Sequence, residues 1–95
     1  MIYWRSDQFN RSYQQLPRPI QDKAVKAFRQ FKANPAHPSL GVKKVKRTPG
    51  IWEGRVDYFW RFTFKYQKSE SGDPVCYFLN IGRHEIVTPG NKPGR

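Results

Sequence analysis

The pattern of hydrophobic and polar residues changes along this chain from a helical period to a strand-like alternation. Between residues 6 and 33 the apolar side chains recur every three or four positions, which is the spacing of one helix face. From residue 42 onward, short runs alternate in polarity, and successive strand residues point to opposite sides of a sheet. The chain is therefore expected to place helices first and strands afterwards.

Two amphipathic helices are predicted in the first third, after a short strand-prone segment at residues 2–4. Ser6 occupies the N-cap position of the first helix, and Pro17 ends it. Pro19 suits the first turn of a longer second helix, which Asn34 and Pro35 end. The apolar stripes of the two helices consist of Phe9, Tyr13 and Leu16, and of Ile20, Ala24, Ala27, Phe28 and Phe31.

The segment from residue 59 to 66 has the clearest alternation in the chain. One set of positions is wholly aromatic and the other is mostly polar: Trp60, Phe62, Phe64 and Tyr66 against Phe59, Arg61, Thr63 and Lys65. An antiparallel sheet with one buried and one solvated face gives this contrast, and two helices would cover the aromatic face. The fold class expected is α+β.

Three further strands are predicted around this one. Residues 42–47 form a basic strand, in which Lys44 and Lys46 reach the solvated face if Val45 points to the core. In residues 51–57, one side carries Trp52 and Val56, and the other carries Glu53, Arg55 and Asp57. Residues 75–82 are almost wholly apolar and belong inside the sheet. His84 follows in phase with Cys76, Phe78 and Asn80.

The 95 residues are expected to form one domain over residues 1–87, with a flexible C-terminal tail at 88–95 that lacks apolar periodicity. No apolar run is long enough for a membrane span or a signal peptide, so a cytoplasmic protein is expected. The single cysteine, Cys76, excludes a disulfide framework and a Cys-rich zinc site. Its mid-strand position suits a small buried side chain better than a nucleophile.

The charge is strongly unbalanced, with 18 Lys and Arg against 7 Asp and Glu, for a formal net charge of +11. Such an excess in a short chain indicates a polyanionic partner, most often nucleic acid. A merely solubilising surface needs far less charge. An acidic partner protein is a third interpretation, compatible with the first.

Several basic residues could converge on the solvated face of the sheet, beside one group that titrates near neutral pH. They are Arg55, Arg61, Lys44, Lys46, Arg83 and His84. Such a face could cleave RNA, because His84 could transfer protons while Arg61 stabilises the phosphorane, with no metal required. The spacing alone favours a plainer interpretation, in which His84 ends a strand, Arg61 is a solvated charge and His37 is a loop histidine.

The order and spacing of several motifs resemble the RelE/ParE superfamily of bacterial type II toxins over residues 2–87. The motifs are NPAHPSL, KKV, GIWEGRV, WRFTFKY and CYFLNIGRHEIV. The resemblance implies a β-α-α-β-β-β fold, with two N-terminal helices packed on a twisted, mainly antiparallel sheet. It also implies ribosome-dependent cleavage of mRNA in the ribosomal A site by 2′-OH attack, without a cofactor, and an inhibitory antitoxin.

The resemblance also assigns roles to residues. Arg61, His84, Arg55 and His37 match catalytic positions, and Lys44 and Lys46 match the family's basic strand. Together with Lys43, Arg47, Arg83 and Lys65, these two lysines are the candidates for phosphate binding. Trp60 replaces the tyrosine that usually precedes the strand arginine, and Thr88 replaces the usual C-terminal tyrosine. The second departure puts a stacking or proton-transfer role for a terminal tyrosine in doubt.

Three functions remain open at this point. The first is an mRNA endonuclease whose partners are the ribosome, mRNA and a cognate acidic antitoxin, in a toxin–antitoxin hetero-oligomer away from membranes. The second is a gyrase inhibitor of the same superfamily, which would lack the catalytic set. The third is an RNA-binding member of the fold without activity.

Overall fold

The computed structural model describes residues 1–87, and the predicted tail at 88–95 lies outside the described residues. The α+β class is confirmed. The helices and strands, in chain order, are β1 (Ile2–Arg5), α1 (Asp7–Gln14), α2 (Arg18–Ala33), β2 (Lys43–Lys44), β3 (Trp52–Arg55), β4 (Trp60–Lys68) and β5 (Pro74–Arg83). Short 3-10 helices occupy Pro38–Leu40 and His84–Val87.

The strands form one five-stranded sheet in the order β1-β5-β4-β3-β2. The chain leaves β1 at one edge, crosses the sheet through both helices, and returns from the other edge as an antiparallel meander. This return brings β5 alongside β1, and that pair is parallel. The apolar strand β5 thus lies inside the sheet, as its composition predicts.

The first helix is attached to the sheet through its N-cap. Ser6 Oγ accepts a hydrogen bond from Phe9 N (2.9 Å) and donates one to the carbonyl of Leu79 in β5 (2.7 Å). A single side chain therefore starts α1 and fixes it on β5. The second helix has no side-chain cap, but Pro19 lies in its first turn, where a missing N–H costs little.

The core is a cluster of aromatic rings between the helices and one face of the sheet. Phe62 and Phe64 of β4 are fully buried, and they contact the ring of Phe31 at centroid distances of 5.6 and 4.9 Å. The predicted aromatic face is confirmed at these positions. It weakens at the end of the sheet, where Tyr66 is 44% exposed. Thr63, on the face expected to be wet, is fully buried, and its Oγ1 donates to the carbonyl of Asn80 at 3.5 Å.

A β-bulge in β5 corrects the predicted phase of that strand. Thr63 lies opposite Asn80, whereas Phe64 lies opposite Phe78, so Leu79 is an extra residue. Beyond it the alternation is reversed, and Ile81 takes the core position opposite Phe62. Asn80 is therefore out of phase with Phe78, contrary to the expectation from strict alternation.

Candidate functional site

The sheet face turned away from the helices, here called the outer face, carries the cationic positions of β3 and β4. Arg55 lies directly opposite Arg61, and Arg61 lies opposite Gly82 of β5. The next row along the strands contains Lys43, Glu53 and Thr63. Two guanidinium side chains thus start from adjacent positions, and like charges at such a pair repel one another unless an anion lies between them.

Arg61 is held by backbone oxygens and is not buried in the interior. Its Nη1 donates to the carbonyls of Asp57 (2.6 Å), Tyr58 (2.9 Å) and Trp60 (3.1 Å). All the hydrogen bonds of this guanidinium within residues 1–87 involve Nη1, so Nε and Nη2 keep their donors for a ligand. The side chain is partly exposed and anchored in one orientation.

The loop between β3 and β4 is organised by the Asp57 carboxylate. Its Oδ1 accepts from Phe59 N (2.9 Å) and Trp60 N (3.0 Å), while Oδ2 meets Lys23 Nζ of α2 at 3.3 Å. Burial alone would raise the pKa of Asp57, but the two backbone hydrogen bonds and Lys23 outweigh it and lower that pKa. Because Asp57 also supplies a carbonyl to Arg61, the loop and the guanidinium are fixed together.

His84 lies at the same end of the sheet as Arg61. Its N–H donates to the carbonyl of Phe59 (2.9 Å), which continues the β4–β5 pairing two positions beyond Gly82. His84 is the first residue of the 3-10 helix that follows β5, so this backbone hydrogen bond fixes where the helix begins. The bulge at Leu79 has a direct consequence here, since without it His84 would be in phase with the core residue Phe78. His84 is exposed.

Exposed aromatic rings adjoin Arg61 and His84. Tyr58 is 77% exposed and Phe59 is 50% exposed, and their rings meet edge to face at 4.9 Å. The guanidinium of Arg83 lies 5.6 Å from the ring centre of Phe59 and 5.8 Å from that of Trp60. Its Nε is 4.0 Å from a carboxylate oxygen of Glu85, an exposed pair of little energetic weight.

Arg55 and His37 point to a neighbouring part of the surface. The guanidinium of Arg55 lies against Gly41, where an added Cβ would be 3.3 Å from Nη2. His37 caps the 3-10 helix, with Nδ1 accepting from Ser39 N (3.2 Å) and lying 2.8 Å from Ser39 Oγ. These contacts fit the structural interpretation of His37, and nothing in the described residues brings its ring to Arg61.

The other basic residues predicted to bind phosphate lie at different places along the sheet. Lys43 is on the outer face, with its Nζ 3.7 Å from Glu53. Lys46 and Arg47 lie in the turn between β2 and β3, at the end away from Arg61. Lys65 is four positions along β4 from Arg61, or about 13 Å, and lies over the ring of Tyr77.

Two expectations about the basic strand were wrong. The strand expected over residues 42–47 is only two residues long, because Arg47 adopts a left-handed conformation (φ 63°) that breaks the pairing. Lys44 does not reach the outer face, since it lies opposite Trp52 with its Nζ 5.5 Å from that ring. Val45 is buried as expected.

Comparison with solved structures gives the fold its context. The chain is similar to a YoeB/ParE toxin from Agrobacterium tumefaciens, with 18% identity, a TM-score of 0.68, and 88% of this chain and 99% of the other covered. YafQ from E. coli matches with 14% identity and a TM-score of 0.68, over 90% and 94% of the chains. The RelBE2 toxin–antitoxin complex from Mycobacterium tuberculosis matches with 18% identity and a TM-score of 0.63, over 87% and 96%. No family model matches the sequence, and no curated protein matches it significantly.

The chain has the RelE/ParE toxin fold. The coverage in both directions means that the RelE/ParE fold accounts for nearly the whole chain and is not a fragment of a larger match. The architecture implied by the motif resemblance is confirmed by β1, both helices, β3, β4 and β5. The two-residue strand β2 is what forms of the basic strand expected over residues 42–47. The roles of individual residues remain predictions, and Thr88 lies outside the described residues.

Sequence reasoning missed the importance of two carboxylates in this RelE/ParE fold. Glu53 is only 7% exposed and balances Lys43 on the outer face. Asp57 holds the loop that carries the exposed rings. An aspartate whose side chain accepts the N–H two residues on is a recognised turn pattern, so the sequence did carry a local signal for Asp57. Glu53 has no such local signal.

Cys76 of β5 is a free cysteine in the interior of the molecule. Cys76 is fully buried, and its burial raises the pKa of the thiol to about 12, so the expected role as a small buried side chain is confirmed. Within residues 1–87, no group of three or more His, Cys, Asp or Glu is arranged to hold a metal ion. No helix in that range is long and apolar enough to cross a membrane.

Proposed function

We propose that this protein is the toxin of a type II toxin–antitoxin system and acts in the cytoplasm as a ribosome-dependent mRNA endonuclease. The observation that carries the proposal is the backbone hydrogen bond from His84 N to the Phe59 carbonyl, which brings exposed His84 to the end of the sheet where Arg61 is anchored. An imidazole and an anchored guanidinium at the same end of a sheet could act together on one phosphodiester. The similar solved structures described as toxins add support.

The reaction proposed is attack by the RNA 2′-hydroxyl on the adjacent phosphorus. The 2′-oxygen–phosphorus bond forms as the phosphorus–5′-oxygen bond breaks, which leaves a 2′,3′-cyclic phosphate and a 5′-hydroxyl. Nε and Nη2 of Arg61 would stabilise the dianionic phosphorane, and Arg55 would add positive charge from the adjacent position. His84 would transfer a proton to or from the reacting oxygens.

The partners proposed are the ribosomal A site, its mRNA and an acidic antitoxin. A net charge of +11 favours association with polyanions and with an acidic chain alike. An antitoxin that is partly disordered when free would fold over the basic surface, because a short, highly charged chain buries too little apolar area to be compact alone. One of the similar structures is a toxin–antitoxin complex, which supports a hetero-oligomer.

The test is primer extension on a defined mRNA in a translating extract supplied with the purified protein. The wild type should give discrete cuts. His84→Ala should reduce cutting about a hundredfold or more, since general acid–base groups contribute that much. Because the His84 side chain is exposed, this substitution leaves the core untouched.

Arg61→Lys keeps a positive charge but loses the planar set of donors, so it should also cut poorly. Lys68→Ala is the matched control, since it removes an exposed cation seven positions, or about 23 Å, along the same strand and should retain most of the activity. Intact mRNA with the wild type would refute the proposal. If gyrase supercoiling were inhibited in the same preparation, the gyrase-binding alternative would replace it.

A further inference from the structure

The loop between β3 and β4 presents an aromatic ring to solvent in a place where the fold does not need one. Tyr58 is 77% exposed, and it is not among the residues packed against the core cluster. Its ring meets only the edge of the Phe59 ring in the described aromatic contacts, at an interplanar angle of 79°. A broad face of Tyr58 is thus open to solvent.

This ring is carried on a rigid support. The Tyr58 carbonyl accepts from Arg61 Nη1 (2.9 Å), and the next two amides are bound by the Asp57 carboxylate. The carbonyl of Phe59 accepts from His84 N (2.9 Å). The backbone on both sides of the ring is therefore connected to the two residues assigned to the chemistry.

The surroundings of the ring are cationic. Arg61 hydrogen-bonds to its carbonyl, and the guanidinium of Arg83 covers the neighbouring ring of Phe59 at 5.6 Å. Aromatic and Arg side chains occur at protein–protein interfaces as well. An exposed aromatic face between arginines is also typical of sites that bind single-stranded nucleic acid, where bases stack on rings and cations follow the backbone, and the net charge of +11 favours a polyanion.

We propose that Tyr58 is a base-stacking residue, which binds one nucleobase of a single-stranded RNA while Arg61 binds an adjacent phosphate. Phe59, covered by Arg83, forms the wall perpendicular to the stacked base. The inference deepens the proposed function, because it names the residue that positions RNA beside Arg61 and His84. It also makes a claim about binding alone, which does not require cleavage.

The test measures binding of the full chain to a 5′-labelled RNA tetranucleotide by fluorescence anisotropy. The RNA carries 2′-O-methyl groups, so it cannot be cut through a 2′-hydroxyl and the result is independent of nuclease activity. Tyr58→Leu keeps apolar bulk but loses the planar ring, and should bind about 5- to 150-fold more weakly, the range found for loss of one stacked base. Tyr58→Phe should bind as the wild type does.

Two further comparisons make the assignment specific. Single bases are removed in turn from the tetranucleotide. When the removed base is the one that stacks on Tyr58, wild type and Tyr58→Leu should bind the abasic RNA equally. The dependence of affinity on salt should have the same slope in Tyr58→Leu as in wild type, because no phosphate contact is lost.

Trp4→Ala is the control for an exposed aromatic elsewhere. Trp4 is 58% exposed and lies in the row of Lys65, six positions along β4 from Phe59 and so about 20 Å away. The Trp4→Ala variant should bind the RNA as the wild type does. Equal binding by Tyr58→Leu and wild type would overturn the proposal, as would an equal loss in Trp4→Ala or a loss in Tyr58→Leu that persists with every abasic RNA. If the wild type leaves mRNA uncut in the primer-extension assay while these binding results hold, only the proposed nuclease activity is refuted.

Discussion

At the scale of single residues, Asp57 shows how one carboxylate positions several groups. It binds two amides of its own loop, reaches Lys23 of α2, and lends a carbonyl to Arg61. Its pKa is lowered in the folded state, so the ionised form is bound more tightly by the fold than by the unfolded chain.

This linkage predicts a pH-dependent effect of Asp57→Asn. The stabilisation from Asp57 is present above its unfolded pKa of about 3.9 and is lost as the pH falls through the lower folded pKa. Asp57→Asn should therefore reduce the free energy of unfolding at neutral pH by about 1–2 kcal/mol, since hydrogen bonds to a charged group are lost. The difference should shrink in acid. Urea unfolding at several pH values measures it.

Asp22→Asn is the matched control, because Asp22 forms an exposed i,i+4 pair with Arg18 on the helix surface. Such pairs contribute little, so this variant should unfold within about 0.5 kcal/mol of wild type at every pH. A pH-independent loss in Asp57→Asn would show that its charge does not stabilise the loop.

At the scale of elements, β3 depends on a glycine for its approach to β4. A Cβ on Gly54 would lie 2.2 Å from Cζ of Phe62, a ring that is fully buried among other rings. The Phe62 ring has no free space to enter, so Gly54→Ala should cost about 1–3 kcal/mol through overpacking. Thermal or urea unfolding measures this loss.

The cause can be separated from a general effect on strand β3. Phe62→Leu shortens the clashing side chain, so the double variant should be more stable than the sum of the two single losses predicts. Strictly additive losses would show that the glycine acts through backbone conformation and not through contact with Phe62.

The elements were largely predictable, because helix caps and alternation are local. Ser6, Pro17 and Pro19 indicated both helices, and Phe62 and Phe64 indicated the buried face of β4. The basic strand was predicted too long, because periodicity does not reveal the left-handed conformation of Arg47. The bulge at Leu79 was also missed, because an almost wholly apolar strand has no alternation of polarity that an extra residue would interrupt.

At the scale of the whole molecule, the basic residues of the sheet and its turns are divided between the end that holds Arg61 and the opposite end. Arg61 and Lys43 lie toward one end of the outer face, and Arg55 starts opposite Arg61 with its guanidinium against Gly41. Lys46 and Arg47 lie in the turn at the other end. A short RNA bound at Arg61 should contact only the first group.

Binding of the same uncleavable tetranucleotide tests this division. Arg55→Gln should weaken binding and reduce the slope of log K against log salt by about 0.7, the value for one phosphate contact to a single strand. Lys46→Gln combined with Arg47→Gln should leave the slope unchanged. If the slope changes more in the Lys46 and Arg47 double variant than in Arg55→Gln, the RNA binds at the end of the sheet away from Arg61 and the prediction is wrong.

The sequence by itself determined the α+β class, the order of helices and strands and the aromatic core face, since these follow from local periodicity and from caps within a few residues. It also identified Arg61 and His84 as candidates. Only the tertiary structure decided that they lie at the same end of the sheet, because this depends on the pairing of β4 with β5. The same holds for Asp57 and Lys23, which are 34 positions apart and meet only when α2 packs across the sheet.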